Sequence, residues 1–403
     1  FKEKFSYVQL LKVRASYGLV GSDVAPGGRY LYYQVYEQGD NYYFGDRAQN
    51  FAGYREGDLG NEHVTWEKAR KLDIGLDLNI FDNVSFTIDY FYDERYDQLV
   101  RRNDTPLLLG IGTAPLNVAR TNNRGFDGQL GYQTRFGRVN FNTNLVFSYA
   151  KNKVIYKAEA QQKHDWLAET GKPIGQPFGY VNIGYYTPED ILKINEGADD
   201  APAVPNTDIP VQAGDLKYLD LNKDGVINDY DKGAIGMPNL PNTTLGWNIG
   251  GNWNGFSLSL LFQGSFNYSF SVVGTGIEPF KSQFQPLHMK RWTPESYANG
   301  DEIEFPRLTS NPATINSAEN YMSDFWLINA WYVRLKTVDF SYQFPKRMLP
   351  GFLDSGRLYV NAYNLLTLTN YNKYQQDPEI STNSAGDAYM NQRVFNLGFQ
   401  VSF

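Results

Sequence analysis

An all-β fold is what this sequence predicts: a transmembrane, antiparallel, up-and-down β-barrel of about ten strands within residues 1–403. Three observations carry the expectation. Apolar and polar residues alternate with period two through one segment after another, as side chains do along a strand. Many segments run ten to sixteen residues. An average soluble strand has about 5–6, and crossing a bilayer takes about 9–11 tilted residues. Finally, short and long connections take turns along the chain.

The first alternating segment places Leu11, Val13, Ala15, Tyr17 and Leu19 on one face. The clearest is KLDIGLDLNIF: Leu72, Ile74, Leu76, Leu78 and Ile80 share a greasy face, while Lys71, Asp73, Gly75, Asp77 and Asn79 share a wet one. After a tight Asp82-Asn83 connection the pattern restarts with Val84, Phe86, Ile88, Tyr90 and Tyr92, and it recurs in Val139–Tyr149. Leu245, Trp247, Ile249 and Trp253 lead into Asn254-Gly255, a dipeptide suited to a two-residue hairpin because both positions tolerate positive φ. Phe256, Leu258, Leu260 and Phe262 follow. Val333 and Leu335 set one phase and Val338, Phe340, Tyr342 and Phe344 the other, so a β-bulge is expected near Lys336-Thr337. The last segment carries Phe395, Leu397, Phe399, Val401 and Phe403.

Between these segments lie a long connection (21–65), a short one (82–83), a long one (101–120), a short one (136–137), a very long one (154–243) and a short one (254–255). A long one (273–327), a medium one (345–355) and a long one (368–391) complete the series. In an up-and-down barrel every second connection lies on the same side, so the short turns share one side and the long loops the other. Outer-membrane barrels put short turns in the periplasm and long loops outside. Alternation alone also builds soluble sandwiches and propellers; strand length and loop sorting decide for the membrane.

Composition narrows the function. With no cysteine there is neither a disulfide nor a thiolate metal site, and His63, His164 and His288 are too scattered for a zinc pair. A formal net charge of −7 disfavours a phosphate backbone, so nucleic acid is not expected as a partner. No run approaches the roughly 18 apolar residues of a membrane helix. The chain opens directly in an alternating pattern without a visible leader, as a mature domain or an internal fragment would.

Several blocks together, in order, resemble the barrel of SusC/RagA-type TonB-dependent transporters of Bacteroidetes. They are LLKVRASYGLVGSD, HVTWEKARKLDIGLDLNIFDNVSFTIDYFYD, NNRGFDGQLGY, GDLKYLDLNKDGVINDYDKGAIG, FSLSLLFQGSF, YVRLKTVDFSYQFP, NAYNLLTLTNYNKYQQDPE and VFNLGFQVSF. The resemblance implies a larger barrel around an N-terminal plug, of which this chain would be the C-terminal part, with the plug absent from it. It also implies residence in the bacterial outer membrane and uptake driven by the TonB complex through the missing N-terminal part. A SusD-like surface lipoprotein would act as lid, and oligosaccharides or peptides would be cargo. The closing strand, ending in Phe403, resembles the signal read by the barrel-assembly machinery.

Residues 220–231, DLNKDGVINDYD, stand out within the very long connection. Oxygen-bearing side chains at every second position followed by glycine are how a chain wraps a hard cation, with calcium taking six to eight oxygens. Asp220, Asn222 and Asp224 would be the first ligands, Val226 would give its carbonyl, Asn228 would reach the ion through water, and Asp231 would close the loop. Ile227 would pack inward. Calcium is the expected ion, in a structural role. The other reading is an Asx-rich turn whose side chains satisfy their own backbone.

No catalytic constellation emerges, and the chain is not expected to be an enzyme. His164-Asp165-Trp166 reads as a solvated loop, and Glu56 with Asp58 as a charge pair. The glycine pairs Gly110/Gly112 and Gly274/Gly276 lack the strand–turn–helix context of a phosphate site. Tyr30, Tyr32, Tyr33, Tyr36, Tyr42, Tyr43 and Phe44 in the first long loop, and Tyr180, Tyr185 and Tyr186 in the third, suit loop packing, an interfacial belt or contact with cargo. Active import is the leading function. A passive porin or structural barrel, and a secreted calcium-stabilised glycan-binding β protein, are the readings from other classes.

Overall fold

Ten strands account for the alternating segments. The computed structural model describes residues 7–24, 29–45, 49–102, 108, 110–273, 277, 284–311, 315–380 and 389–403. The strands are β1 (Val8–Ser22), β2 (Glu67–Ile80), β3 (Val84–Val100), β4 (Leu116–Phe136), β5 (Val139–Tyr156), β6 (Thr243–Trp253), β7 (Phe256–Ser271), β8 (Leu327–Gln343), β9 (Ser355–Thr369) and β10 (Val394–Ser402). They form one sheet in chain order, every neighbour antiparallel. Among the described residues β1 pairs only with β2 and β10 only with β9, so the sheet has two open edges. Among the described residues no helix is long and apolar enough to cross a membrane.

Register keeps the two faces separate across the sheet. Leu76 sits between Val13 and Ile88, whereas Asp77 sits between Lys12 and Thr87. The same holds at the far end, where Leu358 pairs Phe399 and Arg357 pairs Gln400. A one-residue slip would exchange the faces of a whole strand. Among the described residues the apolar face stands open, at the edges (Val13 72% and Leu397 74% exposed) and in mid-sheet (Leu130 and Trp247, each 41%). The other face is lined by charged, amide and hydroxyl side chains. That is the arrangement of a wall with lipid outside and water inside.

The expected bulge is present: pairing of β8 with β9 shifts between Leu335 and Thr337. It lets Leu335 and Val338 lie on the same outer face, beside Phe262 and Leu260 of β7. The Asn254-Gly255 turn has φ of +47° and +90°, as a two-residue hairpin requires. The β2–β3 turn puts Phe81 and Asp82 at φ of +54° and +55°. A bulky residue rarely adopts that conformation; here the Phe81 ring stacks on Tyr7, 5.5 Å between centroids.

The buried core lies outside the wall, in the long connections. Tyr186, Leu216, Tyr218 and Ile227 from the β5–β6 connection pack with Ile277, Phe305, Ile315 and Trp326 from the β7–β8 connection and with Tyr371 from the β9–β10 connection. Upper β7 and β8 residues such as Tyr268, Phe270, Ala330 and Tyr332 form its floor. Three long connections therefore meet on one side of the sheet, and each fully buried large apolar side chain there contributes roughly 1.5–3 kcal/mol. Within this body, α1 (Pro188–Glu196) starts at a Thr187–Asp190 capping box and ends at Gly197 in the left-handed conformation.

Arginine placed at Leu76 on the outer face should destabilise the intact protein in lipid by about 2–4 kcal/mol, whereas Gln129→Arg on the inner face should stay within about 0.5 kcal/mol. Equilibrium unfolding from phospholipid vesicles reads both.

Candidate functional site

The inner face and the body of loops above it form the candidate site. On β1–β3 the Arg14 guanidinium bridges Asp77 (Nε to Oδ2, 3.0 Å) and Asp89 (Nη2 to Oδ2, 2.9 Å). Thr87 donates to Asp77, and the Lys12 ammonium stands 3.7 Å from the same carboxylate. Gly75 makes this possible, since a Cβ there would run into the Asp89 carboxylate and the Arg14 guanidinium. Farther round, the face changes to amides and hydroxyls: Asn140, Asn142 and Asn144 on β5, Asn248 and Asn252 on β6, Ser257, Ser259 and Gln263 on β7. Arg357 and Asp339 pair at 3.0 Å across β8 and β9. Polar groups held at fixed spacing on a rigid sheet can exchange hydrogen bonds with a passing polar solute. None is arranged as a nucleophile with its base.

Higher on β8 lies a denser knot. Arg334, 1% exposed, reaches Asp377 (Nη2 to Oδ2, 2.9 Å), Glu379 (Nη1 to Oε2, 2.8 Å) and the Thr367 hydroxyl (2.9 Å). The Lys336 ammonium donates to both Glu379 oxygens, at 2.9 and 2.7 Å, and Asn391 donates to Asp377 and Glu379. The Asp-Pro-Glu corner at 377–379 of the last long connection is thereby tied to the wall, and Asn391 on its return limb joins the same carboxylates. The planar fork of a buried arginine suits two acids held at fixed geometry.

Other ionic contacts join one loop to the next. Asp215, 1% exposed, pairs with Arg307 at 2.6 Å and accepts from the Asn316 amide at 2.7 Å. Glu304 bonds Lys290 and Lys373, which hold its carboxyl below the usual carboxylate range. Burial pushes the Asp324 carboxyl up, against three backbone N–H groups that lower it. Burial likewise raises the phenols of Tyr186 and Tyr218, so both stay protonated and donate, Tyr186 to the Ala203 carbonyl and Tyr218 to the Ile315 carbonyl.

In residues 220–231 the side chains turn to the chain's own backbone. Asp220 accepts from the N–H groups of Lys223 (2.6 Å) and Gly225 (2.8 Å), and Asn222 and Asp224 accept from Asp224 and Val226. The Val226 carbonyl accepts from the Asn228 amide at 3.2 Å. Asp231, expected to close the ion's shell, is fully buried and accepts from the N–H groups of Leu221, Asn222 and Asn228. Ile227 packs inward at 2% exposed. Among the described residues no three His, Cys, Asp or Glu side chains converge as a metal centre. Asp224 is exposed while Asp220 and Asn222 are half-buried, and Asp224 is held below its ordinary range by the Val226 N–H and the Asn222 amide.

The remaining expectations separate. Tyr180 and Tyr186 are 2% and 0% exposed, so these third-loop rings are core and not free to meet a solute. Tyr36, Tyr42, Tyr43 and Phe44 are exposed on two short ribbons, Tyr36–Gln38 with Tyr54–Glu56 and Tyr42–Phe44 with Gln49–Phe51. His164 stacks on Trp166 at 4.3 Å, Asp58 pairs with Arg101 at 2.6 Å away from Glu56, and Gly112 closes against the Asp58 side chain. Gly274–Gly276 lie outside the described residues. Sequence reasoning missed the Arg334 knot. Its signal was Asp377-Pro378-Glu379, two acids locked on either side of a proline in a loop facing basic Arg334 and Lys336.

Comparison with known proteins agrees with this architecture. The chain is 26% identical to a TonB-dependent receptor of Formosa agariphila over 97% of its own length and 39% of the relative's. It is 21% identical to the TonB-dependent receptor SusC of Bacteroides thetaiotaomicron over 98% of its length and 37% of that protein's. Among solved structures the RagAB peptide transporter superposes with a TM-score of 0.70, and the RagAB peptide importer in its open-open state with 0.72, each at 19% identity over the whole chain. No family model matches. The chain spans about two fifths of the length of these relatives. It resembles the wall-forming part of SusC/RagA-type TonB-dependent proteins, which are outer-membrane β-barrels and not enzymes.

Arg334→Ala should leave Asp377 with the Asn391 amide and Glu379 with Lys336 and Asn391, and cost up to about 3–5 kcal/mol. Thermal or denaturant unfolding of the protein in lipid measures the loss, and Arg334→Lys should recover only part of it because a compact ammonium does not reproduce the guanidinium geometry that reaches Asp377, Glu379 and Thr367 together.

Proposed function

We propose that this chain supplies the later wall and several external loops of a TonB-dependent importer in the bacterial outer membrane. The observation that supports this most is the coincidence of three features in one sheet. An outer apolar face, an inner polar face and long connections gathered on one side together describe a wall between lipid and a water-filled path. The open edges of β1 and β10 each carry unsatisfied N–H and C=O groups, which hydrocarbon does not tolerate. Further strands would complete them, together with a plug and a TonB-contacting segment. RagAB is described as a peptide transporter, and SusC is a TonB-dependent receptor. On that likeness the cargo would be an oligosaccharide or a peptide, and a SusD-like lipoprotein would cover the loop body as a lid. The inner amide and hydroxyl wall suits either cargo, since both offer many donors and acceptors and little net charge.

Calcium belongs to this reading as a structural ion. Asp220, Asn222, Asp224 and the Val226 carbonyl would face it, with Asp231 holding the loop's backbone from beneath. Carboxylate oxygens that accept one N–H each keep further lone pairs for a cation.

Deleting the gene should abolish growth of its host on one class of oligosaccharides or peptides, and deleting tonB should do the same. Uptake that persists without TonB, scaling with external concentration, would point to a passive pore. Separately, calcium should slow proteolysis across 200–240 relative to chelator; equal cleavage in both would remove the ion from the account.

A further inference from the structure

Strand glycines on the outer face meet two different fates. A Cβ on Gly128 would lie 2.8 Å from the Phe147 ring, and one on Gly264 would lie 3.1 Å from the Phe266 ring. In both places a neighbouring aromatic ring already covers the gap. Gly251 on β6 is different: the nearest atom a Cβ there would meet is the Asn140 carbonyl oxygen, at an ordinary contact distance of 3.5 Å. It lies between Phe141 and Leu258, with Ile249 and Trp253 two residues away along the same face. The missing side chain opens a groove of about 240 Å³ whose rim is completed by Phe256 and Phe340.

The groove opens outward. Trp253, Leu258 and Phe340 are 52%, 43% and 45% exposed on the face that register assigns to lipid. Its place along the strand is also defined. Gly251 stands three residues before the Asn254-Gly255 turn, about 10 Å at 3.3 Å per residue, on the side of the short turns. Stacked Trp253 and Phe256, then Phe256 with Tyr342 and Tyr342 with Phe344, form an aromatic band there of the kind that marks a membrane–water interface.

We propose that this groove seats one acyl chain of a phospholipid from the periplasmic leaflet, as a specific lipid site on the wall. The occupant follows from the surroundings: the groove is continuous with the lipid-facing surface, lined by apolar side chains, and ends at a tryptophan suited to the glycerol and headgroup level. An acyl chain there replaces the contacts that a void would forfeit.

The test uses the intact protein purified in mild detergent, with phosphatidylethanolamine as probe and native mass spectrometry as readout. Wild type should retain one phosphatidylethanolamine more tightly than the rest. Gly251→Leu, which fills the groove, should lose that adduct with affinity lowered about tenfold or more, and Gly251→Ala should fall between. Gly246→Leu on the opposite face should keep it. Heat-modifiable gel mobility checks that each variant is folded. Equal retention in wild type and Gly251→Leu would overturn the site. So would misfolding of both Gly251 variants, because the position would then not be open, or loss of a dimer with lipid retention unchanged, because a second copy would then be the occupant.

Discussion

In hydrocarbon a backbone N–H or C=O finds no water, so each strand of this wall depends on the strand beside it. That constraint organises the rest. It makes the strands long and antiparallel, because each must cross and return, and it binds ten of them into a single sheet in chain order. It leaves side chains to report which face is which. Val13, Leu76 and Ile88 stand in one row and Lys12, Asp77 and Thr87 in the next. The row that would be an error on a soluble protein is here the surface that lipid solvates.

The second consequence concerns where hydrophobic burial occurs. A wall one sheet thick has no interior of its own, and its inner face is wet. The packed core is instead built by connections on one side, where Trp326, Tyr218 and Tyr371 are fully covered. Ionic ties complement that packing. Asp215 with Arg307 joins two loops, and Arg334 with Asp377 and Glu379 fastens a third to β8. These pairs set geometry more than they add stability, since desolvating charges offsets much of their attraction. The result is a loop body of defined shape above a regular wall.

Much of this was legible in the sequence because a strand's period of two is written locally. KLDIGLDLNIF shows both faces in eleven letters, Asn254-Gly255 shows its turn, and the phase change at Lys336 shows its bulge. Loop sorting added the side on which connections gather. The loops themselves were less readable, because their contacts join residues about a hundred positions apart: Asp215 meets Asn316, and Tyr218 meets Ile315. Tyr180 and Tyr186 look like exposed rings in a long loop and are instead core, for the same reason. DLNKDGVINDYD shows the difference between residue type and direction. The oxygens are where the spacing puts them, yet Asp231 turns inward to three backbone amides.

The division of the sheet into a lipid face and a water face can be measured directly, helped by a chain without native cysteine. Single cysteines at positions 72–74 and 76–80 of β2, in the intact protein in lipid, would be treated with a membrane-impermeant maleimide; position 75 stays glycine because a Cβ there meets Asp89 and Arg14. Positions 73, 77 and 79 should label and positions 72, 74, 76, 78 and 80 should resist, face by face. Uniform labelling, or the opposite phase, would contradict a wall that separates lipid from water.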